Sequence, residues 1–141
     1  MKMRFKKLHP EAKVPAFAHA TDAGMDLFTV EDFTIEPGQR LSVPTGIALA
    51  VPTGHVGLIW DKSGVSQKRG VKTLGGVIDE EYRGEIFVGV VNVGEEEQKF
   101  SEGDKIAQII IQTVEHPELV EVQEFEQTAR GEGRFGSTGG K

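Results

Sequence analysis

The chain has 141 residues, 38% of them hydrophobic, enough for one domain with a core and little else. It has no cysteine, which excludes disulfides and thiolate metal sites, and its four histidines, His9, His19, His55 and His116, are too scattered for a zinc helix. A net charge of −6 argues against a general nucleic-acid binder, no stretch approaches a membrane span, and the basic opening MKMRFKKLHP lacks the apolar run of a secretory signal, so the expectation is a soluble, cytoplasmic protein that binds neither nucleic acid nor membrane.

In chain order, β-branched and aromatic residues cluster in short runs at 3–8, 25–30, 47–51, 56–60, 86–93, 106–112 and 119–125, each predicted to be a strand. Turn signals separate them at Glu36-Pro37-Gly38-Gln39, Pro44-Thr45-Gly46, Pro52-Thr53-Gly54 and Glu102-Gly103-Asp104. Val43-Pro44-Thr45-Gly46 recurs eight residues on as Val51-Pro52-Thr53-Gly54, a spacing of one strand plus one turn. No segment carries a 3.6-residue apolar period, and residues 64–68 allow at most one short helical turn. The predicted class is all-β, a sandwich or barrel of jelly-roll type. One run, Ile86 to Val93, is apolar throughout except at Gly89 and Asn92. Near-continuous apolar character predicts burial on both faces, and in so small a sandwich the second cover is expected to be another subunit.

Two stretches carry the chemistry. In Gly75-Gly76-Val77-Ile78-Asp79-Glu80-Glu81-Tyr82-Arg83-Gly84, an aspartate and the chain's single tyrosine stand three residues apart between a glycine turn and a strand. Each alone fits an ordinary role, a solvated turn carboxylate and a half-buried ring. The second stretch, 130–140, holds five glycines, two arginines, one phenylalanine and two hydroxyls. It cannot build a core, and its glycines raise the entropy cost of ordering it. It can offer N–H groups, guanidinium charge and an aromatic face, which suit a base and a string of phosphates. Gly131 to Gly136 spells G-x-G-x-x-G, but five residues remain after it, too few for the helix of a dinucleotide fold. Asp61-Lys62-Ser63-Gly64 follows Trp60 at a strand end and reads equally as an anion nest or a plain turn.

Taken in order, these pieces resemble the five motifs of the trimeric dUTPase family. Ala23 to Leu27 resembles the first, Lys62-Ser63-Gly64 the second, Gly76 to Gly84 the third, Gly103 to Gln108 the fourth and Arg130 to Gly139 the fifth. The resemblance implies a distorted jelly roll, or β-clip barrel, over residues 1–129 and a flexible glycine-rich arm at 130–141. It implies a homotrimer with sites at subunit boundaries, dUTP as substrate, and Mg2+ as cofactor. It implies that Asp79 activates the attacking water. Tyr82 would pack on the deoxyribose, and main-chain atoms of the hairpin from Thr73 to Gly76 would read uracil. Asp26 would act on the metal through bound water. Lys62, Ser63, Gly64 and Gln108 would hold phosphate oxygens. Arg130, Ser137 and Thr138 would close over the terminal phosphates, and Phe135 with Gly136 over the base. Two positions depart from the pattern. The second motif usually has arginine where this chain has Lys62, which keeps the charge and loses the bidentate fork. Arg134 stands where many relatives have glycine.

Two other functions compete. A dCTP deaminase on a similar fold would need a glutamate at the position of Gly89 and a serine–arginine–serine pattern in the second motif, and this chain has neither. A dUTPase-like non-catalytic regulator would be expected to have lost Asp79 or the tail, and both are present.

Overall fold

A computed structural model describes residues 1–136 and 138–140. The elements run β1 (Arg4–Lys7), β2 (Met25–Phe28), β3 (Phe33–Ile35), β4 (Arg40–Ala50), β5 (His55–Trp60), α1 (Ser63–Arg69), β6 (Val71–Thr73), β7 (Val77–Ile78), β8 (Glu85–Asn92), β9 (Gln98–Phe100) and β10 (Lys105–Thr113). One antiparallel sheet has the order β1-β4-β8-β6, a second β2-β10-β5-β7, and β3-β9 form a separate ribbon. The chain is all-β and jelly-roll-like, as the sequence predicts.

Alternation along the strands builds the core. Ile47, Leu49, Ile86, Val88 and Val90 of the first sheet share one buried cluster with Leu27, Ile59, Ala107 and Ile109 of the second. Truncating one of these large side chains to alanine costs about 2–5 kcal/mol by lost transfer energy and the cavity left behind. β8 buries Ile86, Val88, Val90 and Asn92 and turns Phe87 outward, 48% exposed. Within one chain only one face of this apolar strand is covered. Asn92 is wholly buried because its polar atoms are satisfied. Its Nδ2 donates to the carbonyls of Ile35 (3.0 Å) and Glu96 (2.8 Å), and its Oδ1 accepts the N–H of Gly94 (2.9 Å).

Two expectations fail. Pro44-Thr45-Gly46 is not a turn but lies inside the eleven-residue β4, where the pairing with β8 shifts register. The shift absorbs the proline's missing N–H. The Thr45 hydroxyl instead donates to the carbonyl of Ile86 at 2.7 Å. Its echo Pro52-Thr53-Gly54 is the true turn, closed by the N–H of His55 on the carbonyl of Pro52. The predicted strand at 119–125 does not form, and Leu119 and Phe125 are over 90% exposed. Residues beyond β10 pair with no strand among the described residues, and a segment without a ladder has no bonds to hold it extended. The last hydrogen bond from this segment to the domain is from the N–H of Val114 to the carbonyl of Gly54, 3.0 Å, among the described residues.

The short helical stretch is α1, two residues longer than expected. Gly70, at φ 69°, ends it, its N–H returning to the carbonyl of Ser66. Arg69 stacks over Phe100 (3.7 Å to the ring centroid) and bonds Gln98 and the carbonyl of Lys99, so the β3–β9 ribbon holds the helix in place.

Candidate active site

The register of the second sheet sets up one end of the site. On β10, Gln108 pairs with Asp26 of β2 on one side and with Trp60 of β5 on the other. The chain then leaves β5 through Asp61 and Lys62 into α1, so three strands deliver Asp26, Gln108 and Lys62 to one edge. Asp26 is buried, with Nζ of Lys62 2.6 Å from Oδ1 and Nζ of Lys105 2.9 Å from Oδ2. Burial pushes its carboxyl up, but the two ammonium groups outweigh that and hold it below the usual aspartate range. The Lys62 contact on Oδ1 lacks the alignment of a hydrogen bond, so this oxygen is held by charge alone. Ser63 and Gly64 open α1 and are exposed. Gln108 donates from Nε2 to the carbonyl of Asp61 at 2.8 Å. Its Oε1 lies 2.5 Å from where a β-carbon of residue 24 would sit, so Gly24 is required for that pose.

Asp79 and Tyr82 share a turn after β7, closed by the N–H of Tyr82 on the carbonyl of Asp79 at 3.1 Å. The turn is pinned from both ends. Oε2 of Glu80 accepts the N–H of Gly54 at 2.5 Å, and Arg83 donates to the carbonyls of Glu80 and Tyr82. The Tyr82 hydroxyl donates to the carbonyl of Glu85 at 2.7 Å. A β-carbon at Gly84 would lie 2.5 Å from that hydroxyl oxygen, so the ring's place depends on the glycine. Asp79 is exposed and lines an open recess of about 550 Å3 with Tyr82, His55, His116, Val56 and Val77. A larger recess, about 910 Å3, is enclosed by residues 122–132 of the terminal segment alone and holds none of these groups.

Between the two ends lies the hairpin 73–76. Its apex Gly75 has φ 73°, a left-handed conformation that glycine adopts without strain. The N–H of Thr73 is bonded to Asp61, that of Leu74 to the carbonyl of Gly89, and the carbonyl of Gly76 accepts the N–H of Ile59.

The sequence-predicted residues therefore fall into three groups. Asp26, Lys62, Ser63, Gly64 and Gln108 cluster at one edge, and Asp79 and Tyr82 at another, with Thr73 and Gly76 between. Ile78 pairs with Gly57, three positions along β5 from Trp60, so the two clusters stand about 10 Å apart along the strand. The arm joins neither. Phe135 is fully exposed, Thr138 is exposed, and Nε of Arg130 donates to the carbonyl of Gly133 within the arm itself. Gly136 has φ 83° and belongs to the same excursion, and Ser137 lies outside the described residues. No local motif marks Lys105, Glu80 or Asp61 for a role of its own in the site. Lys105 sits within the fourth motif, but nothing in its spacing marks it as the second cation on Asp26.

Among the described residues there is no group of three or more histidine, cysteine, aspartate or glutamate side chains able to hold a metal, and no helix is long and apolar enough to cross a membrane. The single buried carboxylate of Asp26, with an oxygen free of aligned donors, fits a hard cation carried mainly by phosphates and water.

An all-β domain with an exposed carboxylate on one turn and a buried carboxylate paired with two cations at the far edge is suited to hydrolysis of a phosphorylated substrate. The dUTPase family model matches residues 10–139, and the chain belongs to that family. It is 43% identical to the deoxyuridine 5'-triphosphate nucleotidohydrolase of Thermobifida fusca, over 99% of this chain and 80% of the relative. Among solved structures it resembles the dUTPase of Staphylococcus bacteriophage 80alpha with dUpNHpp (TM-score 0.92, 31% identity, 98% of each chain). It also resembles a dUTPase variant from phage phi11 of S. aureus described with a structural Mg(II) ion (TM-score 0.83, 29% identity, 90% of this chain and all of that one).

Proposed function

We propose that the protein hydrolyses dUTP to dUMP and pyrophosphate, supplying a dTMP precursor and keeping uracil out of DNA. The observation that carries this is the turn holding Asp79 and Tyr82 beside a glycine hairpin, inside a chain that matches the dUTPase family nearly end to end. Asp79 takes a proton from water as the water oxygen bonds to the α-phosphorus. The bond from that phosphorus to the bridging oxygen of the β-phosphate breaks, and pyrophosphate leaves. Tyr82, held by Glu85 and Gly84, packs on the deoxyribose and leaves no room for a 2′-hydroxyl. The hairpin 73–76 reads uracil through main-chain atoms. The N–H of Thr73 is already engaged, so other main-chain atoms of the hairpin make that contact. Lys62, Ser63, Gly64 and Gln108 hold phosphate oxygens, with one amide hydrogen of Gln108 remaining after its bond to Asp61. Asp26 would hold Mg2+ through bound water. When bound, the ion neutralises phosphate charge and polarises the phosphoryl group. Arg130, Ser137 and Thr138 close over the phosphates, with Phe135 and Gly136 over the base.

The distance between the two clusters supports a site completed by other copies of the chain. So do the apolar side chains left open on one chain, Trp60, Val77, Phe87, Leu119 and Phe125. We read the assembly as a homotrimer and its place as the cytoplasm. The deaminase alternative is further weakened by packing. A β-carbon at Gly89 would lie 3.2 Å from the carbonyl oxygen of Leu74, which leaves little space for a glutamate. Incubation with each dNTP and Mg2+, followed by pyrophosphate detection, tests the reading. Release from dUTP alone is expected, and no release from dUTP would overturn it.

A further inference from the structure

We propose that Asp61 is a positioning residue that latches the base-reading hairpin to the root of the phosphate loop. Its Oδ1 accepts two hydrogen bonds from a single residue, the N–H of Thr73 at 2.7 Å and the Thr73 hydroxyl at 2.9 Å. Its Oδ2 takes Nζ of Lys72 at 2.7 Å. Its own carbonyl accepts Nε2 of Gln108. Contacts from β6 and β10 thus converge on the residue between β5 and Lys62. A carboxylate that merely solvates a turn has no need of two donors from one distant residue on one oxygen.

The position of this latch gives it its consequence. Thr73 is the last residue of β6, and Leu74-Gly75-Gly76 follows as the tip. Two glycines give the tip little rigidity of its own. Its geometry is inherited from its root, which β8 holds on one side through Leu74 and Gly89, and Asp61 on the other. Bonds to an ionised carboxylate are roughly twice as strong as neutral ones, so Asp61 supplies the stiffer side. A main-chain edge can select one base from another only if its donors and acceptors stay in register. Asp61 therefore acts on base selection without touching the nucleotide.

This rests on the reading that the hairpin recognises uracil, and the experiment separates the two. Asp61→Ala, Asp61→Asn, Thr73→Val and Lys72→Met are compared with the parent. The readouts are kcat and KM for dUTP and dCTP, and amide hydrogen exchange at residues 73–76 in the ligand-free protein. For Asp61→Ala we expect KM for dUTP and exchange at Thr73 each to rise about tenfold, the scale of one charge-assisted hydrogen bond, with kcat nearly unchanged and the preference for dUTP over dCTP narrowed. Asp61→Asn keeps an acceptor for Thr73 without the charge and should restore part of that preference. Thr73→Val, which removes only the hydroxyl bond, should show a smaller shift of the same kind and carries the test if the alanine variant does not fold. Lys72→Met, which leaves both Thr73 bonds on Oδ1, should shift KM and exchange by less than Thr73→Val. A parent that turns over dUTP and dCTP alike overturns the reading of the hairpin and this proposal with it. A discriminating parent whose Asp61→Ala variant keeps both its preference and its slow exchange overturns the latch alone, as does an asparagine variant no better than alanine.

Discussion

The ammonium of Lys62 rests 2.6 Å from Oδ1 of Asp26, so the cation assigned to phosphate is engaged with the carboxylate assigned to metal. On the proposed roles, a triphosphate would draw Lys62 off Asp26, and Lys105 would remain to keep the carboxylate paired. Lys62→Met should lower kcat/KM for dUTP by at least about tenfold, the scale of one lost charge-assisted contact. Lys62→Arg should recover most of it, because the fork offers phosphate a second donor. Steady-state kinetics on the two variants check this, and a methionine variant as active as the parent would remove Lys62 from the site.

Asp79 stands exposed on a turn that is pinned by Glu80, Arg83 and main-chain bonds and not by the side chain of Asp79. Asp79→Asn should therefore leave the turn intact. It should cut kcat at least about 10²-fold, the scale of lost general-base catalysis. Calorimetry with dUTP should still show binding. Retained turnover would assign the base elsewhere.

Tyr82 owes its position to Glu85 and to the missing side chain at Gly84. Tyr82→Ala should narrow the preference for dUTP over UTP as well as weaken binding. Gly84→Ala, which pushes the ring aside, should do so too. Comparing kcat/KM for the two nucleotides in each variant decides the point, and undiminished discrimination would mean that the sugar is selected by other groups.

Asp61 gives a pH dependence of stability. Burial raises its carboxyl, but Lys72 and the two donors of Thr73 outweigh this and set it below the ordinary 3.8. A folded-state value below the unfolded one means that its contribution is present above about pH 4 and fades as pH falls through the depressed folded value. Asp61→Asn should lose stability relative to the parent at neutral pH, and the gap should close in acid. Urea unfolding of both proteins between pH 7 and pH 3 measures it. A gap that widens in acid would reverse the sign.

The arm from 130 makes hydrogen bonds only within itself and with Thr128, among the described residues. Deleting 130–141 should leave fold and assembly intact, with light scattering at about three times the mass of the shortened chain. Most of the activity should be lost. Mixing the deletion with Asp79→Asn, under conditions of subunit exchange, should recover part of it, since an arm from one chain can then meet an intact Asp79 of another. Exchange without recovery would confine each arm to its own chain.

Most of the sheet framework was legible because alternation and β-branched content report directly on half-buried strands. Met25, Ile47, Ile59, Val88 and Ile109 all lie in strands that were expected. What escaped was set by long-range contact. Phe33 and Phe100 lie on three-residue strands that exist because their rings stack at 4.7 Å, a pairing across 67 positions that no local pattern carries. Pro44 looked like punctuation, and only the register shift against β8 keeps it inside a strand. In the site, Asp79 and Tyr82 were readable because the motif is contiguous. Asp61 and Lys105 were not, since each gains its meaning from a partner on another strand.

Gly54 receives the N–H of Val114 on its carbonyl and gives its own N–H to Glu80, the neighbour of Asp79. A single residue thus ties the end of β10, from which the terminal segment departs, to the turn that bears the carboxylate. Having no side chain and a φ of 78°, it has little else to grip. The point at which the chain leaves β10 and the turn that bears Asp79 therefore share one anchor on the domain, which fixes where the terminal segment departs relative to that carboxylate.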